Sequence, residues 1–226
     1  MRLTTILLLL ALVAIRAAAQ HRDKFFPAQE DDRYVDERVF FGALAAGVNF
    51  TQVDGDTKSG YHKVGISAGA IVYARYRPSL GASLELRFSQ KGSVSKAFTS
   101  NAGGVGALEV YKIKLNYAEV PLMLHYFPGS RFVYSAGVAY GYLISAKETY
   151  EAGYPVNLKD LYPFEKHEIS GLVGGNYALA KHWSVEGRFQ YSFTSIRKNE
   201  NIPQGLNMGS GRQSNNQFTF RLMYLF

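Results

Sequence analysis

The chain contains no cysteine. That excludes disulfides, Cys-ligated zinc, a thiol nucleophile and a lipid joined at cysteine. Long hydrophobic runs are nearly as scarce. The run from Ile6 to Ile15 is about half the roughly 20 apolar residues a membrane-spanning helix needs, and no later stretch is longer. Concentrated charge is lacking too. The formal net charge is +7, yet no basic run or basic face gathers it, so the electrostatic footprint of a nucleic-acid-binding protein is absent.

What is abundant is aromatic and small. Aromatics make up 14% of the residues, and there are 22 glycines. A mean hydropathy of -0.11 is what results when lipid-facing and lumen-facing residues cancel along strands. The N-terminus reads as an export signal: Arg2, the run Ile6 to Ile15, and Ala17-Ala18-Ala19 as a small-residue cleavage site, giving a signal peptide over 1–19. Arg16 is an unusual residue to end such a run. Residues 20–40 are charged and aperiodic, and are expected to form a polar, partly disordered periplasmic lead-in.

The barrel domain is expected over 41–226, and its last strand shows the pattern most plainly. Phe218, Phe220, Leu222, Tyr224 and Phe226 fall on one face, because successive side chains of a strand point to opposite sides. An alternating aromatic strand ending in Phe resembles the C-terminal assembly signal of bacterial outer-membrane barrels. The same period of two recurs upstream. Strands are expected near 41–50, 64–76, 80–92, 109–126, 132–146, 169–178, 183–193 and 216–226. Short turns at Arg77-Pro78-Ser79, Phe127-Pro128-Gly129-Ser130 and Leu179 to His182 alternate with four long loops, near 51–63, 93–108, 147–168 and 196–215. A phase slip is expected near Pro121, which cannot donate to a ladder.

Eight strands with both ends on the short-turn side define an all-β, closed, eight-stranded antiparallel transmembrane barrel, with the long loops extracellular. Closure pairs 41–50 with 216–226, because an open edge cannot be satisfied in lipid. A barrel of eight strands has room inside only for side chains. The more polar face therefore supplies the lumen, with Glu85, Arg87, Lys91, Lys112, Lys114, Glu186, Arg188 and Arg221 as its charges. Glu119 stays unassigned because of the expected slip. On this count bases outnumber acids, and the surplus is expected to reach water at the barrel ends.

Gly47-Val48-Asn49, Gly60-Tyr61-His62-Lys63-Val64-Gly65 and Gly69 resemble the opening of the PorT-type outer-membrane barrels of the Bacteroidetes group. So do Leu84-Glu85-Leu86, Ser89-Gln90-Lys91-Gly92-Ser93 and Leu115-Asn116-Tyr117-Ala118-Glu119-Val120-Pro121-Leu122, with Gly137 and Gly141-Tyr142-Leu143-Ile144 completing the match. Ala118 departs from the bulkier apolar residue usual there. The resemblance covers about 40–226 and implies a porin-like barrel in the outer membrane of a Gram-negative cell envelope. The family's namesake serves a secretion and gliding system, but that role does not transfer with these motifs.

No catalytic site emerges. His167 and Ser170 are an odd number of residues apart and face opposite sides of a strand, while His125 and His182 fall near periplasmic turns. Asp54 and Asp56 lack the remaining ligands of a calcium loop, so neither metal nor cofactor is expected. The expectation is a non-enzymatic structural or interaction barrel. The alternatives are an accessory of a secretion or gliding apparatus and a narrow pore. Expected partners are outer-membrane lipid and lipopolysaccharide, the barrel-assembly machinery, and a periplasmic or surface protein. Nucleic acid is not among them, and the barrel is expected to be a monomer.

Overall fold

The computed structural model describes residues 40–55, 60–100, 106–129, 131–151, 155–157, 163–180, 182–197 and 213–226. The expected export signal over 1–19 and nearly all of the expected lead-in over 20–40 lie outside them. Among the described residues nine strands follow in chain order: β1 Phe40–Asp54, β2 Lys63–Arg77, β3 Leu80–Ser100, β4 Gly106–Tyr126, β5 Phe132–Glu151, β6 Pro155–Asn157, β7 His167–Ala178, β8 Trp183–Ser192 and β9 Ser214–Leu225. Among the described residues no helix is long and apolar enough to cross a membrane.

Eight of these strands form the barrel. Each pairs antiparallel with its neighbour, and β1 closes on β9 with Val48 opposite Phe220 and Leu44 opposite Tyr224. The three-residue β6 stands apart and pairs only with the upper end of β5. Closure leaves no barrel strand with a free edge inside the lipid layer, where nothing else could satisfy its N–H and C=O groups. The final residue takes part: the Phe226 N–H donates to the Gly42 carbonyl at 2.9 Å.

Alternation assigns the two faces. Phe218, Phe220, Leu222, Tyr224 and Phe226 are exposed on the outside, while Gln217, Thr219, Arg221, Met223 and Leu225 are buried inside. Around the periplasmic end Phe40, Tyr76, Tyr126, Tyr134, Tyr177 and Trp183 form an outward aromatic girdle, the residue type that suits a lipid–water boundary. The short turns close this end. In one of them Gly129 takes φ of 80°, a conformation glycine adopts without steric cost.

Two expectations are corrected. The stretch near 93–108 is not a loop: β3 runs on to Ser100 and β4 begins at Gly106, so the strand pair rises well past the apolar band. There is also no phase slip at Pro121. Pairing runs Leu84–Leu122 and Arg87–Glu119, which is one constant register with two rungs missing beside Val120 and Pro121. The ladder simply skips where proline has no N–H to give. The register shift lies instead on β5, opposite Asn116 and Tyr117, where Asn116 faces Ser145 and Tyr117 faces Leu143. Ile144 is the extra residue, a β-bulge.

If the aromatic terminal face drives insertion, deleting Phe226 should lower the amount of folded barrel in the outer membrane and leave export unchanged. Heat-modifiable mobility of membrane fractions checks this, and equal folded fractions for wild type and deletion would count against it.

Candidate functional site

The interior is packed in layers of alternating character. At the periplasmic end Phe41, Ile71, Tyr73, Phe127, Val133 and Leu225 belong to one buried apolar cluster. Beside it Ser83 Oγ and His125 Nε2 share a hydrogen bond of 2.8 Å, with the His125 ring against Tyr73.

Above this floor sits the first charged layer. Arg188 donates to Glu85 at 3.0 Å and to Glu186 at 2.6 Å. Arg221 donates to Glu186 through Nε at 2.7 Å and also reaches Glu85. Two bases and two acids thus bond in a ring, and each acid meets both guanidinium groups. The positions come from pairing: Glu186 and Arg221 are directly opposed on β8 and β9, and Arg188 is two residues from Glu186 on the same face.

A second charged layer lies beyond Met123, Ala139 and Leu172. Arg87 Nε donates to Glu119 at 2.8 Å, and Lys91 Nζ lies 2.7 Å from the same carboxylate and also bonds Glu168. Gln190 ties the layer together, donating to Glu119 at 2.9 Å and to Ser170 at 2.7 Å. Asn215 donates to Glu168 from β9. Again two bases meet two acids.

The extracellular end is closed by a second apolar cluster, with Tyr111, Ile113, Leu115 and Tyr117 of β4 packed against Val53, Leu143 and Ile196. Inside it Arg197 pairs with Glu148, which also accepts from Tyr111, and the Arg197 guanidinium lies 3.8 Å from the centre of the Phe164 ring. Phe164 and Ile196 arrive from the two long loops flanking β7 and β8. The backbone pins them, since the Glu165 N–H donates to Ile196 O at 2.8 Å and the Leu143 N–H to Lys166 O at 2.8 Å.

Of the eight charges expected in the lumen, Glu85, Arg87, Lys91, Glu186, Arg188 and Arg221 are there, each no more than 3% exposed. Lys112 and Lys114 are not. They point outward from β4, and Tyr111 and Ile113 point in. The reason is height. Below, the outer face meets lipid and must be apolar; above the lipid the outer face meets water, so the pattern inverts without any change of register.

The expected surplus of bases also disappears. Glu119, Glu148, Glu168 and Arg197 join the lumen, and among the described residues five bases then balance five acids there. Glu119 follows from the unbroken phase of β4, and Glu168 from its parity with Ser170. Glu148 is turned inward by the Ile144 bulge, and Arg197 comes from a loop; neither leaves a periodic signal. The more polar face does not fill the lumen alone, because apolar clusters fill both ends.

His167, Glu168 and Ser170 do not converge. His167 Nδ1 shares a 2.6 Å hydrogen bond with the Tyr140 hydroxyl on the outer face, whereas Glu168 and Ser170 bond inside. Among the described residues no three His, Asp or Glu side chains are placed to hold a metal ion.

A closed barrel with an aromatic lipid-facing surface and internally paired charges defines an integral outer-membrane protein. The chain belongs to the outer membrane protein beta-barrel domain family, whose model matches residues 20–198. No curated protein matches it in sequence. Among solved structures it is similar to Ail, the attachment invasion locus protein of Yersinia pestis, at 8% identity and TM-score 0.48, covering 84% of this chain and 100% of that one. It is also similar to Neisserial surface protein A, at 12% identity and TM-score 0.44, covering 83% and 96%. The outer membrane protein OprG of Pseudomonas aeruginosa matches at 13% identity and TM-score 0.35, covering 83% and 94%.

Each layer predicts a cost on disruption. Replacing Glu186 by Gln leaves Arg188 and Arg221 sharing one carboxylate, and should destabilise the folded barrel by about 3 kcal/mol. Glu165→Gln, at a half-exposed loop position, should cost under about 0.5 kcal/mol. Urea titration of the refolded proteins in detergent checks the difference.

Proposed function

We propose that the barrel is a non-enzymatic structural and interaction scaffold, closed to solutes, that presents its extracellular end to lipid, glycan or protein partners. The observation that carries this reading is the fill of the lumen. Among the described residues, three apolar clusters, two neutral charged layers and the Arg197–Glu148 pair fill it, and each of these ionised groups is bonded to one of opposite sign. A conducting path needs a continuous polar bore, and the layers at both ends are made of rings and aliphatic side chains.

Kinship with PorT-type barrels is part of the proposal. The quoted motif residues Asn49, Lys91 and Glu119 are all lumen groups: Asn49 donates to Ser89 Oγ at 3.0 Å and to Gln90 O at 3.1 Å, and the other two bond in the second charged layer. The resemblance therefore lies in how the barrel is packed. It speaks for shared architecture and leaves a secretion or gliding role to the segments outside the lumen.

Planar-bilayer recording tests the closed-scaffold reading. Purified, heat-modifiable protein should give no steady conductance above that of protein-free membranes. Stable unitary openings would defeat it.

A further inference from the structure

The outer face of β4 and β5 changes character in three steps above the lipid. Its last apolar rung is Ala118 opposite Tyr142. Asn116 then faces Ser145, with the Asn116 amide donating to Ser145 Oγ at 2.8 Å. On the next rung Lys114 stands directly opposite Lys147, and both are exposed. Lys114 is four residues past Ala118, which is about 13 Å along a strand and roughly 10 Å in height at barrel tilt. That is the level of the headgroup phosphates of the outer leaflet.

Two like charges facing each other across a ladder repel, and neither Lys114 nor Lys147 has an ion-pair partner among the described residues. The arrangement is not an accident of one strand. The Ile144 bulge is what turns Lys147 outward to meet Lys114; an unbulged β5 would send Lys147 into the lumen. Two further lysines lie at the extracellular end of the barrel. Lys63 lies within electrostatic reach of Lys112 and Lys114. Lys166 is exposed at the top of β7, its carbonyl held by the Leu143 N–H. Among the described residues the charged layers inside the barrel are neutral, whereas Lys114 and Lys147 have no opposite charge paired with them.

We propose that Lys114 and Lys147 form a binding site for the phosphate of the outer leaflet's glycolipid, whose acyl chains run down the apolar rungs below. A phosphate between the two ammonium groups converts their repulsion into two charge-assisted hydrogen bonds. Continuity with the lipid-facing surface favours a lipid over a soluble anion, because acyl chains and headgroup are then held by one strip of sheet. The proposal rests on the scaffold reading. Conductance by the wild type would defeat that reading alone, whereas the lipid assay below tests this one alone.

The test compares wild type, K114A/K147A and K114R/K147R, each refolded and checked for heat modifiability, in nanodiscs of zwitterionic lipid. Titrated guests are phosphorylated lipid A, the same lipid A dephosphorylated, and phosphatidylglycerol. Wild type should retain phosphorylated lipid A about tenfold more tightly than the K114A/K147A variant, K114R/K147R should restore retention, and dephosphorylated lipid A should not discriminate among the three. Without an anionic guest the alanine variant should unfold at a temperature no lower than wild type, because repulsion is relieved; with phosphorylated lipid A the order should reverse. Equal retention by wild type and the alanine variant would overturn the proposal. So would equal retention of the dephosphorylated lipid, or full replacement by phosphatidylglycerol.

Discussion

Ten ionised side chains lie in a lumen from which bulk water is largely excluded, and each would cost several kcal/mol there if left alone. The barrel tolerates them because they come in neutral sets bonded across strands. Glu85 of β3 meets Arg188 of β8 and Arg221 of β9. Lys91 of β3 joins Glu119 of β4 to Glu168 of β7. These bonds span the barrel's diameter, so strands far apart in sequence hold one another in place. The backbone ladders alone connect only neighbours.

The layered fill also decides what kind of surface the protein can offer. On the proposed closed-scaffold reading, the apolar side chains at both ends shut the interior off from either compartment, and recognition falls to the outer wall or the loops. The Ile144 bulge serves both sides of the wall at once. It delivers Glu148 to Arg197 inside and Lys147 to Lys114 outside, so one extra residue couples the closing of the lumen to the charge displayed above the lipid.

Much of this was legible in the residues. The aromatic period of two in Phe218 to Phe226 and the paired turns at Pro78 and Pro128 suffice to derive eight closed strands and an outer-membrane barrel. Six lumen charges follow from the same alternation. Where reading by alternation failed, the cause was physical. Lys112 and Lys114 were assigned inward on the rule that the apolar face meets lipid, and the rule lapses once a strand rises above the lipid. Pro121 suggested a slip, but a missing donor breaks two rungs without moving the register. Glu148 and Arg197 depend on a bulge and a loop, whose positions are set by tertiary pairing that no local pattern announces.

Neutral cross-strand pairing as the organising constraint is best tested by a double-mutant cycle on Glu186 and Arg221, read by urea unfolding of the refolded barrel. The E186Q and R221M single variants and their combination isolate the pair's coupling from the loss of either residue. The structure predicts a favourable coupling of about 2 kcal/mol or more, with the double variant less damaged than the sum of the singles. Additive losses, with coupling near zero, would contradict it.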